Sequence, residues 1–432
     1  MKKTIKKLLS VFFATILLLS ATPLGLFQIE SFAFDQPYEN GDIIEFGSYP
    51  QSEVTNSALL KELNSLPKTW ISYKYYSGDG TVGSMTAGDF MMYADVSYNG
   101  NMYRAVTFSA YRPYYSYYPS SPLYTYQDEY GYMINTVYWF KYEPLKWRVL
   151  DIDTGLIISE YIIDTQAYCE AIYYNSTNGE YYKDSAFTTY CNNYAKSDIR
   201  KWLNNDFYNT AFSIKERDSI KNSTLDNKAY SISYWQYDSA VTSDNIFLLS
   251  HSDAYNLDYF SNNTTKLAFG SDYAKCQGLY VNSTNNASYW YLRTAGNFSD
   301  LACRVNYNGE VYDSYSSNVI YYPGIGIRPA LKLENVPVSV SLQKAPAKSE
   351  YIYKQDEVDL SGIELFVTYF DGTTKTITDT SKMIVSGFSN TTRGEQTVTV
   401  DFEGVQAEFK VNVKYTWWQW LIVILLFGWI WY

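Results

Sequence analysis

Two uncharged apolar runs, Leu8–Leu19 and Tyr415–Tyr432, stand at opposite ends of this chain and leave what lies between them to fold as soluble protein. Lys2, Lys3, Lys6 and Lys7 precede the first run, and Ser31-Phe32-Ala33 follows it with small residues at the outer positions of an A-x-A-like site. This order reads as an export signal, residues 1–33, cut after Ala33. A run of about a dozen residues is short of the roughly 20 that cross a bilayer core as a helix. No cysteine lies nearby to carry a lipid anchor.

The second run carries Trp417, Trp418 and Trp420 at one end and Trp429, Trp431 and Tyr432 at the other, the placement of interfacial aromatic belts. Its last residues span about 24 Å as a helix, which is marginal for crossing. No Lys or Arg cluster follows it, and no sortase-type L-P-x-T-G motif precedes it. The expectation is a short hydrophobic tail, residues 415–432, that spans the membrane or lies in it, tethering an exported cell-surface protein.

Between the runs lie roughly 380 residues, enough for two or three domains. They are loaded with aromatic side chains: the chain has 47 Tyr, 22 Phe and 11 Trp against one His. Scarcity of histidine, the commonest general base and metal ligand near neutral pH, argues against most catalysis and against a metal cofactor. A net charge of -11 argues against nucleic acid, because phosphate binding needs clustered Lys and Arg. Cys169, Cys191, Cys276 and Cys303 follow no zinc spacing. They are either buried thiols or one or two disulfides, and four cysteines allow three pairings.

A boundary falls at Glu334–Pro337. Beyond it, residues 335–414 read as short alternating strands at Val338–Leu342, Glu364–Tyr369, Thr397–Phe402 and Ala407–Val413, with Asp371-Gly372 as a hairpin turn. The rhythm predicts a small all-β sandwich. Tyr369–Lys375, Val385–Phe388 and Gly394–Val400 resemble the group 3 bacterial Ig-like domain, which implies a spacer or adhesive module without catalytic residues.

The larger domain, residues 34–334, mixes short strands with few helices. Gly41–Gln51 opens it as a strand, and Leu145–Leu150 with Gly155–Glu160 predicts a hairpin. Ser197 caps a helix carrying Ile199, Trp202, Leu203 and Phe207; Ser213 with Glu216 and Ser250 with Asp253 form capping boxes. The last of these gives His251 a structural explanation. Seven blocks, Ile44–Gln51, Glu143–Leu150, Asp198–Asn204, Asp244–Ser250, Asp272–Lys275, Trp290–Arg293 and Gly326–Leu331, resemble exported bacterial domains known as domain of unknown function 6273. The closing W-x-L-R and G-x-R-P-A elements are in turn similar to the C-type lectin-like fold shared with formylglycine-generating enzymes. What this implies is an α+β, C-type lectin-like domain. Residues from about 70 to 135 carry no block and read as a Tyr-rich insertion, with Tyr111–Pro119 as an exposed loop.

The chemistry of those enzymes cannot be assembled here. Cys276 and Cys303 are too far apart in sequence for the copper-binding pair, and one His is too few for the iron-dependent relatives. The calcium-site triplets E-P-N, Q-P-D and W-N-D are absent. Binding points instead to the aromatic end of the domain. Trp290, Arg293, Asn306, Tyr307, Asn308, Tyr312, Tyr315 and Tyr321 offer rigid rings and adaptable hydrogen bonds, and the lectin-like resemblance implies ligand-lining loops at the same place. The expectation is a non-catalytic recognition or adhesion protein for a carbohydrate or surface-protein ligand. A self-associating envelope protein and a carboxylate-dependent hydrolase remain as alternatives.

Overall fold

The computed structural model describes residues 37–73, 91–109, 111, 126–169, 173–313 and 324–425. The export signal therefore lies outside the described residues.

The architecture is strand-rich, and its organiser is the long strand Tyr138–Asp151. Ile43–Glu53 pairs antiparallel along it from Arg148 to Phe140, Leu156–Ser159 pairs with its end, and Asn101–Phe108 with its start. Side chains alternate across such a strand, so Trp139, Trp147 and Val149 enter the core together. The sheet reaches nine strands because Ala330–Leu333 returns to pair with Leu156–Ser159, and Ile246–Phe247 and Ile220–Lys221 pair with it in turn. The predicted hairpin after Asp151 turns at Gly155. Its φ is +71°, and a Cβ there would fall 2.2 Å from the carbonyl oxygen of Leu333, so only glycine lets the returning strand dock.

A second, five-stranded sheet runs Val311–Tyr312, Ala302–Val305, Trp290–Ala295, Gly326–Ile327 and Asp164–Thr165. The indoles of the buried tryptophans are satisfied by fixed acceptors. Trp147 donates to the Phe46 carbonyl at 2.7 Å, Trp139 to Asn64 at 2.9 Å and Trp290 to the Lys266 carbonyl at 3.1 Å.

The stretch read as an insertion is part of this framework. Met91–Tyr98 and Asn101–Phe108 form a hairpin that extends the nine-stranded sheet. Arg104, 3 % exposed, meets Asp95 at 2.7 Å and the Tyr142 hydroxyl at 2.8 Å, so a buried charge fastens the hairpin. Alternation in Ala94, Tyr103 and Ala105 marks it as strand, and only the absence of a familiar block suggested otherwise. Most of the Tyr111–Pro119 loop lies outside the described residues.

Residues 337–414 form a sandwich. One face is Pro337–Lys344, Glu364–Tyr369 and Thr374–Ile377; the other is Glu350–Ile352, Val405–Lys414, Gly394–Phe402 and Met383–Ser386. Val405–Lys414 buries every second residue, the period-2 pattern of a half-buried strand. Leu365, Val367, Val398, Val400, Val411 and Val413 fill the interior with Tyr351.

The described part of the C-terminal tail is a nine-residue helix, Trp417–Leu425. Its start is fastened to the sandwich: Gln419, fully buried, donates to the Tyr353 carbonyl at 3.1 Å, and Val423 packs on the sandwich core. Trp417, Trp420, Leu421, Ile424 and Leu425 remain exposed. Among the described residues no helix is long and apolar enough to cross a membrane, so the transmembrane expectation has no support there. The four cysteines are all buried, and Cys191 hydrogen-bonds Cys169.

Candidate functional site

The site begins with a helix start. Ser250 caps His251–Tyr255, its hydroxyl accepting from Asp253 N–H at 3.0 Å while Asp253 accepts from Ser250 N–H at 2.7 Å. The five-stranded sheet then holds the helix down. Arg293 donates to Asp253 at 3.1 Å and to the Leu248 carbonyl at 2.9 Å, and His251 N–H donates to Thr294 Oγ1 at 2.9 Å. Residues four apart share a helix face, so His251 and Tyr255 emerge together, with ring centroids 4.7 Å apart. Tyr230 lies 5.6 Å from the imidazole and stacks in turn on Tyr234.

Opposite the helix stands the hairpin that leads into Val311–Tyr312. Its turn runs through Asn308 and Gly309, with Asn306 N–H donating to the Glu310 carbonyl at 2.8 Å. Gly309 has φ +81°, and a Cβ there would lie 1.9 Å from the Asn263 carbonyl oxygen. The missing side chain lets the turn press against the Asn263–Lys266 segment. Between helix, segment and hairpin opens a cavity of about 430 Å³, lined by Tyr255, Asn263, Lys266, Glu310, Val311, Tyr312 and Asp313.

The electrostatics are mixed. Asp313 Oδ2 lies 3.5 Å from His251 Nε2, too long for a strong hydrogen bond, and Nε2 is buried without a hydrogen-bond partner. Burial pushes the imidazole below its ordinary value, and Asp313 partly opposes this. Burial also lowers Lys266, whose ammonium sits 5.5 Å from the Tyr255 ring centre. The cavity thus presents ring faces, two carboxylates, an amide and an ammonium. Among the described residues no group of three His, Cys, Asp or Glu could hold a metal.

Of the residues singled out from sequence, Tyr312 lines the cavity. Tyr307 lies outside it, in a ring cluster with Tyr280 and Tyr289, and Asn308 is exposed at the hairpin turn. Two assignments are corrected. Trp290 is fully buried with its indole bonded to the Lys266 carbonyl, and Arg293 is buried, holding the His251 helix through Asp253, with its Nε unpartnered. Asn306 is buried, its Oδ1 without a partner. Tyr315 and Tyr321 lie outside the described residues. His251, Tyr255, Asn263, Lys266, Glu310 and Asp313 were missed. A His and a Tyr four apart on a capped helix was the available signal, but the cap had already accounted for the histidine.

A larger cavity of about 620 Å³ lies along Ile43–Glu53 and Tyr138–Asp151, and includes Glu45, Glu143 and Asp272. Two of these carboxylates already stitch strands and helix together: Glu143 accepts from Ser52 N–H at 3.3 Å and its hydroxyl at 2.7 Å, and Asp272 from Glu53 N–H at 3.3 Å and Lys275 at 3.2 Å. That leaves the aromatic cavity as the better site.

Residues 153–335 match the family model described as Domain of unknown function (DUF6273). Residues 345–413 match Bacterial Ig-like domain (group 3), which points to an extracellular or surface setting. Among solved structures, one described as "Solution structure of a putative surface protein" is 25% identical, covering 19% of this chain and 92% of that chain with a TM-score of 0.14. No curated protein matches the chain.

Proposed function

We propose that the protein is an exported, non-catalytic bacterial surface protein whose larger, C-type lectin-like domain recognises carbohydrate, with the Ig-like sandwich as its stalk. The observation that carries this reading is the convergence of Tyr255 and Tyr312 with Asn263, Lys266, Glu310 and Asp313 on one cavity. Sugar C–H faces stack on aromatic rings, and hydroxyl pairs are matched by carboxylate and amide acceptors and an ammonium donor. Such recognition needs no calcium. Export rests on the Lys-rich start and Leu8–Leu19, and membrane association on the aromatic tail with Trp417, Trp420, Ile424 and Leu425 exposed.

The test is an array of glycans and cell-wall polysaccharides probed with the mature chain, with and without chelator. Selective, chelator-insensitive retention that falls in Tyr312→Ala and Tyr255→Ala supports the reading; a blank array with folded protein counts against it.

Self-association is the second reading, and a specific surface favours it. Ile232 and Trp235, beside Tyr234, are 90% and 70% exposed. Oligomers that grow with concentration and disappear in Trp235→Ser would move this reading ahead.

A further inference from the structure

A third cavity, of about 460 Å³, lies away from the aromatic one, beside the Arg148–Glu160 ion pair, and Arg328 lines it. Arg148 takes both carboxylate oxygens of Glu160, at 3.0 and 2.6 Å. Arg328 is 1% exposed, and its best approach to that carboxylate is 3.9 Å. Its Nε donates to the Ser159 carbonyl at 2.7 Å and its Cζ lies 5.2 Å from the Trp290 ring centre, but Nη1 is buried without any acceptor. A buried cation whose nearest carboxylate is committed elsewhere is costly unless something else compensates it. Desolvation accordingly pushes Arg328 down to about 10, against the pull of Glu160.

The other walls say what the compensating group carries. Asn40, Ser261, Thr264, Thr265 and Tyr259 supply polar groups, and Leu257, Leu267 and Phe269 an apolar side. Glu160 is engaged by Arg148, and Asp258 at the wall is exposed to solvent, so neither carboxylate compensates the buried Arg328. The unmet demand is therefore for one negative charge, which favours a carboxylate over a doubly charged phosphate. A guanidinium binds a carboxylate well because its donors are arranged as a planar fork.

We propose that this cavity binds the carboxylate of an acidic sugar, with Arg328 as the charge partner and the Ser261–Thr265 hydroxyls on the sugar ring. The site is independent of the aromatic cavity, and either can fail alone.

The experiment titrates the mature chain with sodium glucuronate, with glucose as the neutral counterpart and sodium chloride at matched ionic strength, followed by calorimetry and thermal melting. Glucuronate is expected to bind saturably and raise the melting temperature, with glucose and chloride inert. Arg328→Lys keeps the charge, loses the fork and is expected to weaken binding at least tenfold. Because Arg328 is buried and its variant can lose stability, Leu257→Glu serves as the second variant. Leu257 is 75% exposed, so the fold tolerates the change while a like charge enters the wall; binding is expected to fall about tenfold. Tyr312→Ala should leave glucuronate binding intact. Equal responses to glucuronate and chloride, binding of glucose as tight as glucuronate, no response at all, or unchanged affinity in Leu257→Glu overturns the proposal.

Discussion

Asp313 faces His251 across 3.5 Å, carboxylate oxygen to Nε2, and the rings of Tyr230 and Tyr255 lie 5.6 and 4.7 Å from the imidazole. Burial outweighs the carboxylate, so the folded pKa lies below 6.5. As pH falls the unfolded chain takes up this proton first. The group's contribution to stability is complete above 6.5 and fades as pH drops toward the folded value. With one His in the chain, the imidazole signals in an NMR titration are unambiguous. A midpoint below 6.5 is expected, together with a flatter melting curve against pH in His251→Phe between about 7 and 5.5; a midpoint at or above the ordinary value would overturn the argument.

Gly309 should not tolerate alanine. Positive φ and the approach to the Asn263 carbonyl act together, so Gly309→Ala is expected to cost about 1–3 kcal/mol and to open the aromatic cavity. Urea unfolding measures the first effect and ligand retention the second. A variant as stable as the parent would show that the turn does not press on Asn263.

Tyr312 and Trp290 were read alike from sequence and should behave oppositely. Tyr312→Ala removes a half-buried ring at the cavity and is expected to abolish glycan retention with little change in melting temperature. Trp290→Ala empties a fully buried site and should cost about 3–5 kcal/mol. Denaturant melts of the two variants separate the roles.

The cysteines give a simple chemical test. Cys169, Cys191, Cys276 and Cys303 are all buried, and burial raises the pKa of Cys191, Cys276 and Cys303. A thiol reagent should label none in the native protein and four after denaturation; two labelled cysteines would reveal a bridge.

Gln419 ties the C-terminal helix to the sandwich. Gln419→Ala removes the amide that donates to the Tyr353 carbonyl and should loosen Trp417–Leu425 by about 1–3 kcal/mol. Faster amide exchange in that helix, with the sandwich strands unaffected, is the expected result.

Local structure was legible wherever one short segment holds its own hydrogen bonds. The capping boxes at Ser213–Glu216 and Ser250–Asp253, the hairpin around Gly155 and the Asp371-Gly372 turn of the sandwich all form as their spacing implies. The pattern in Val405–Lys414 likewise states its own burial. The hairpin at Met91–Phe108 extends the edge of the large sheet; its alternation is present in the sequence, although it carries no familiar block.

The site is another matter. Sequence by itself determined that aromatic residues cluster at the close of the larger domain, because side-chain chemistry is local. It could not say which rings face outward. Trp290 and Tyr312 lie on neighbouring parts of one small sheet, yet one is sealed against Lys266 and the other lines a cavity. Tertiary structure alone brought Tyr255, the Asn263–Lys266 segment and Asp313 together, since they come from three separate segments. It also left Arg328 buried with an unmet donor. The physical reason is that burial and charge pairing are properties of the packed surroundings, which only the folded chain assembles.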